Sequence, residues 1–130
     1  MYTEAKLRRL MMELRRDFPL EFPVRVRRVL LPGSAMGDCR MIYDKDHTPK
    51  YHLIRLNKRL PLICQRATLL HEWAHAMVWH PGEIVHHRQS WALKYKRLLD
   101  WAGVYGQIIR WSQGENEYEV EQGCADYFGS

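Results

Sequence analysis

The chain has 130 residues, of which 46% are apolar, so we expect one domain that buries a core without help from disulfide bonds. Its formal net charge is +5. The excess of Lys and Arg is compatible with a polyanionic partner such as nucleic acid. The basic residues are spread along the chain, however, and small basic proteins without such a partner show the same distribution. Three separated cysteines exclude a disulfide framework and a four-cysteine zinc ribbon, and they favour a reducing compartment.

The N-terminal segment carries charges throughout and has no apolar core of the kind found in signal peptides. No stretch of the sequence approaches 18 consecutive apolar residues, so no membrane span is predicted. We therefore expect an intracellular protein, either cytoplasmic or associated with the nucleoid or nucleus.

The first predicted element is an amphipathic helix over residues 4–18, with Thr3 as its N-cap. Pro19 ends it, because proline disfavours a helical conformation in the residue before it. The apolar residues recur at helical spacing: Leu7, Leu10, Met11, Leu14 and Phe18.

Three short strands are predicted next, over residues 24–31, 39–43 and 51–56, joined by turn-like segments. Such a succession predicts a small, mostly antiparallel sheet. Alternation along the third strand places its side chains on two faces, with His52, Ile54 and Leu56 on one and Tyr51, Leu53 and Arg55 on the other.

The rest of the chain is predicted to be helical, over residues 62–80, residues 88–101 and a last segment starting near Asn116. The fold class is therefore α+β, with helices packed on a sheet. The predicted apolar stripes are Leu69, Leu70, Trp73, Ala74 and Met77 in the first of these helices, Trp91, Tyr95, Leu98 and Trp101 in the second, and Val120, Cys124 and Tyr127 in the third.

The segment His-Glu-Trp-Ala-His, residues 71–75, lies in the middle of the predicted helix 62–80. Residues four apart on a helix point in nearly the same direction, so His71 and His75 can share one metal ion. Glu72 lies beside them and can reach a water molecule without binding the metal, which is the arrangement of zinc peptidases. A shuffled chain of this composition would contain the pattern roughly 0.03 times, so a pair of surface histidines is the weaker interpretation.

A catalytic zinc site needs a third protein ligand, and two segments offer one. His86 and His87 follow the turn at Pro81-Gly82, and a loop there can return an imidazole to the site. The alternative is an acidic residue near the C-terminus, Glu121 or Glu117, although a solvated helix face explains these carboxylates better. The remaining histidines are assigned no metal-binding role: His47, His52 and His80.

The segment from Gly37 to Trp91 resembles the SprT-like metalloprotease domain, which includes the Spartan proteases of DNA–protein crosslink repair. The resemblance rests on GDCRMIY, YHLIRLNKRL and LLHEWAHAMVW, followed after a loop by His87 and an aromatic residue four positions on, Trp91. It implies a zincin-like fold with one zinc ion per chain, held by His71, His75 and His87, and with Glu72 as the general base.

The chain departs from this pattern in three ways. Arg88 stands where the family usually has glycine, and the four-cysteine zinc ribbon of many members is missing. We also expect no C-terminal tail for partner recruitment. A weaker resemblance links EQGCADYFG to the helix that carries a glutamate ligand in thermolysin-like enzymes. Gln122 occupies the position of that glutamate, and Glu121 is displaced by about 100° around a helix.

Three functions are compatible with these patterns: a zinc metalloendopeptidase acting on proteins, including DNA-associated ones, a non-catalytic binding module with a zincin fold, and a small basic nucleic-acid-binding protein. For the peptidase, the third strand is predicted to be an edge strand that binds an extended substrate through Tyr51, His52, Leu53 and Ile54. For single-stranded DNA, the candidate contacts are Lys94, Lys96 and Arg97, with Tyr95 or Trp101 stacking on a base. Core packing of these aromatic residues is the competing interpretation.

Overall fold

The computed structural model describes residues 1–81 and 89–104 in full, together with the backbone of residues 108–113 and 116–121. Within these ranges the helices are α1 (Glu4–Asp17), α2 (Leu62–Met77) and α3 (Gln89–Trp101). The strands are β1 (Val24–Val29), β2 (Gly37–Tyr43), β3 (Pro49–Asn57), β4 (Ile108–Gln113) and β5 (Asn116–Glu121). The α+β class is confirmed, and no helix among the described residues is long and apolar enough to cross a membrane.

The helix predictions for the first hundred residues are confirmed to within a few positions. Helix α1 begins after Thr3, whose side-chain oxygen accepts a hydrogen bond from the Lys6 backbone N–H at 3.2 Å. Its apolar stripe packs against α2, and the Trp73 indole donates to the Phe18 carbonyl at 3.3 Å. This bond ties the middle of α2 to the end of α1.

The three-stranded sheet has the order β1-β3-β2 and is mixed, not mostly antiparallel. Strand β3 pairs in parallel with β1 and antiparallel with β2. The predicted alternation in β3 is confirmed, because His52, Ile54 and Leu56 are buried and face the helices. Strand β3 lies in the middle of the sheet, so both of its backbone edges are hydrogen-bonded.

This order makes one sequence-based expectation wrong. Strand β3 is central, so it has no free edge on which a substrate strand could pair. Of the four residues assigned to substrate binding, His52 and Ile54 are buried in the core, whereas Tyr51 and Leu53 lie on the opposite face. The edges of this sheet are β1 and β2.

The predicted helix starting near Asn116 is also wrong where the structure describes it. Residues Asn116–Glu121 form β5, which pairs antiparallel with β4 from Ile108↔Glu121 to Gln113↔Asn116. The sequence NEYEVE alternates Glu with Tyr and Val, which is a period-two pattern typical of strands. The rest of that predicted helix, with Cys124 and Tyr127, lies outside the described residues.

Candidate metal centre

Helix α2 brings three potential metal-binding side chains together. One donor atom from each of His71, Glu72 and His75 lies within 4.8 Å of the others. His71 and Glu72 are almost fully buried, with 4% and 7% of their surfaces exposed, and His75 is partly exposed. The two imidazole centroids are 5.1 Å apart. The local i, i+4 geometry therefore produces the pairing expected from the sequence, at the border between core and solvent.

Two aromatic side chains of α3 pack against the histidine pair. The indole of Trp91 stacks on the His75 ring, with centroids 5.2 Å apart and planes inclined by 24°. It also meets the His71 ring at 4.6 Å and donates a hydrogen bond to the His71 carbonyl at 3.0 Å. Tyr95, one turn later on α3, contacts the His71 ring at 5.4 Å. Helix α3 therefore restricts the orientation of both imidazoles.

Strand β2 supplies the electrostatic surroundings of Glu72. The pKa of Glu72 is raised to about 8, mainly by burial and to a smaller extent by the neighbouring Asp38 carboxylate. The pKa of the Cys39 thiol is raised as well, first by burial and then by the charges of Glu72 and Asp38. Asp38 itself pairs with Arg55, whose Nε donates to the carboxylate at 2.9 Å. The β2 edge of the sheet therefore lies beside the proposed catalytic carboxylate.

Sequence reasoning missed Asp38, because its proximity to Glu72 depends on how the sheet packs against α2. The role of Trp91 and Tyr95 as supports of the histidines was missed too. Their spacing of four residues was correctly interpreted as the core face of a helix, but that spacing does not say which side chains they touch. Only the packing of α2 against α3 decides which side chains of α3 contact the histidine pair.

The structure does not describe the side chain of any residue expected to be the third ligand. His86 and His87 are outside the described residues. Glu117 and Glu121 are in β5, where only the backbone is described, so the helical setting expected for them is wrong. Elsewhere, His47 lies in an exposed turn with a φ of 60°, and the exposed His80 follows the end of α2.

The candidate DNA-binding side chains of α3 are only partly arranged as expected. Lys96 and Arg97 are exposed and Lys94 is partly exposed. Tyr95, however, is buried, with 1% of its surface exposed, so the expectation that it stacks on a base is wrong. Trp101 packs against Phe18, at 5.0 Å between centroids, and donates to Asp17. The cations thus lie on a helix whose aromatic residues pack inside the protein.

Comparisons with models of protein families, with curated proteins and with solved structures find no match for this chain.

Proposed function

We propose that the chain is a zinc-dependent metallopeptidase of the SprT-like kind, in which His71 and His75 bind the metal and Glu72 is the general base. The observation that carries the proposal is the convergence on α2 of three potential metal-binding atoms within 4.8 Å of one another, two of them from buried residues. Support also comes from the ring contacts of Trp91, which hold two imidazoles in place beside a partly exposed surface.

The donor set fits zinc. Two imidazole nitrogens one helical turn apart are typical zinc ligands, and a catalytic zinc ion takes a third protein ligand while keeping one position open. We assign the third ligand to His87, with His86 and Glu121 as alternatives. Zinc bound there would lower the pKa of a water molecule and polarise the carbonyl of the scissile peptide bond.

In this proposal Glu72 is the general base that takes the proton of the attacking water. Its burial favours the protonated form, so the carboxylate is a stronger base than an exposed glutamate. A cation bound to His71 and His75 favours the charged form and offsets part of this effect. Glu72 accepts a proton from the attacking water and transfers it to the leaving amine, which becomes the new N-terminus of the product.

Substrate placement follows from the strand order. Strand β2 lies at an edge of the three-stranded sheet and next to Glu72, through Asp38 and Cys39. Among the described residues only β3 pairs with β2, and an extended peptide that pairs with the other edge of β2 would pass beside the proposed base in a fixed register. The edge-strand mode predicted from the sequence is therefore retained, but we transfer it from β3 to β2.

The decisive experiment separates metal binding from chemistry. In Glu72→Gln the amide cannot accept the proton, so we expect zinc content to remain near one per chain while hydrolysis of a fluorescein-labelled casein falls by about 10²–10⁴-fold. Glu21→Gln makes the same change at an exposed position and should retain full activity.

Two outcomes would favour other functions. A wild-type protein that binds zinc but cleaves neither casein nor a random peptide mixture would favour the binding module with a zincin fold. A protein that binds no zinc would leave only the basic nucleic-acid-binding function. In that case, binding of labelled single-stranded DNA should weaken with salt and with charge reversal at Lys94, Lys96 and Arg97.

A further inference from the structure

The face of the sheet that points away from the helices carries a group of arginines. The register puts Arg25, Leu53 and Arg40 in one row across the three strands, and Arg27, Arg55 and Asp38 in the next. We call the four arginines of these rows the outer arginine face. With Asp38 as the one acidic residue in these rows, the two rows carry a formal charge of +3.

The arginines of this face differ in what they already contact. Arg55 is neutralised by Asp38, and Arg25 lies over the Tyr51 ring at 4.2 Å. Arg40 is exposed and makes no ion pair or ring contact with any other described residue. It is also the only one of the four on β2, the edge strand beside Glu72.

We propose that Arg40 determines part of the substrate specificity, by favouring an acidic side chain at the substrate position directly across from it. This inference rests on the proposed peptidase function and on pairing of the substrate with β2. The substrate class is thus protein segments with Asp or Glu at one fixed position relative to the scissile bond.

The physical basis is the geometry of cross-strand pairs. Side chains directly opposite each other on neighbouring strands have Cβ atoms about 4.5–5.5 Å apart, and opposite charges there attract whereas like charges repel. Successive side chains of the substrate alternate between the two faces, so only every second one lies on the side of Arg40. Its immediate neighbours in sequence face α2, where Met41 is buried.

Register distinguishes this mechanism from a general attraction of acidic peptides. Two residues before Arg40 on the same face is Asp38, which is already paired with Arg55. An acidic side chain across from Asp38 gains little and meets a carboxylate. We therefore expect the acidic preference at one outward position and not at the next one along the substrate.

The test uses a positional-scanning library of unstructured peptides, with Glu or Lys fixed in turn at each position around the cleavage site. For the wild type we expect kcat/KM to favour Glu over Lys by roughly threefold to tenfold at a single position, since a favourable pair replaces an unfavourable one. The ratio should fall at high salt. Arg40→Glu should reverse the preference at that position only.

Arg27→Glu is the matched control, because it makes the same charge change on the same face but on β1, with β3 between it and the substrate. It should leave the preference unchanged. A ratio that survives Arg40→Glu, or that both variants lower equally, overturns the proposal.

A second measurement keeps this result separate from the fate of the proposed function. The same Glu and Lys peptides are titrated against zinc-loaded Glu72→Gln protein, with and without Arg40→Glu, and binding is followed by fluorescence anisotropy. If the wild type cleaves nothing, the peptidase function fails, yet a charge preference in binding that reverses with Arg40→Glu still supports the role of Arg40. Equal binding of both peptides refutes it.

Discussion

The two imidazoles of the proposed metal site lie against one indole ring. Trp91 is fully buried, touches both rings and donates a hydrogen bond to the backbone carbonyl of His71. Side chains that orient metal ligands typically contribute 10- to 100-fold to metal affinity. In the proposed metal site, Trp91 would therefore be a positioning residue for His71 and His75, although it offers no ligand atom for zinc.

This role predicts a loss of zinc affinity in Trp91→Phe. Phenylalanine retains an aromatic ring but removes the hydrogen bond to His71 and leaves space beside His75, so zinc affinity should fall about tenfold. Competition with a zinc-binding dye measures it. Trp101→Phe is the control, because this half-buried indole on the same helix donates to Asp17 and packs on Phe18. Equal zinc affinities in the two variants would show that Trp91 contributes to core packing only and does not position the histidines.

At the scale of elements, the site depends on how closely β2 approaches α2. Gly37 begins β2, and a Cβ atom built there would lie 2.6 Å from the Arg55 carbonyl oxygen and 2.7 Å from Cγ2 of Thr68. Real Cβ atoms do not approach other heavy atoms so closely. The missing side chain at this position therefore lets the strand that carries Asp38 and Cys39 lie close to both β3 and α2.

We accordingly expect Gly37→Ala to lower the free energy of unfolding by about 1–3 kcal/mol, because the strand must move away from both β3 and the helix. Urea denaturation measures the change. Adding Thr68→Ser removes the methyl group but keeps the hydroxyl that donates to Cys64, so the double variant should recover part of the loss. Recovery should be incomplete because the backbone oxygen of Arg55 remains. An unchanged free energy of unfolding in Gly37→Ala would show that the space beside Gly37 accommodates a methyl group.

For the whole molecule, His52 links stability to pH. Its side chain is 2% exposed, packs edge-on against Phe22 and Trp79, and has no hydrogen-bond partner for Nδ1 among the described residues. Burial lowers its pKa in the folded state. The unfolded chain therefore takes up a proton first as the pH falls, so stability is fully present above the unfolded pKa of about 6.5 and is lost below it.

Between pH 6.5 and 5.5 we expect the metal-free wild type to lose on the order of 1 kcal/mol of unfolding free energy relative to His52→Phe. Each protein is compared with its own value at pH 7.5, so the fixed packing effect of the substitution cancels. Urea unfolding with a chelator present avoids changes in zinc binding. His80→Phe alters an exposed histidine and should keep the acid sensitivity of the wild type. Identical pH profiles for all three proteins would exclude His52 as the cause.

Local patterns predicted the elements whose geometry is itself local. The i, i+3, i+4 spacing gave α1 and its Thr3 cap, and the four-residue spacing of His71 and His75 placed both on one face of α2. The same approach failed for Asn116–Glu121, where Glu alternating with Tyr and Val was taken for a helix face. A short segment of this kind carries a period-two pattern that competes with helix propensity, and pairing with β4 decides between them.

The sequence by itself determined the helices of the first hundred residues, the two faces of β3 and the meeting of His71, Glu72 and His75, because fixed rotation per residue relates neighbours along one element. The tertiary structure decided the order β1-β3-β2, which puts β2 and not β3 at an edge, the proximity of Asp38 to Glu72, and the contact of Trp91 with both histidines. These depend on which distant segments pair and pack, and several pairings bury the same apolar faces. Only the full set of long-range contacts selects one of them.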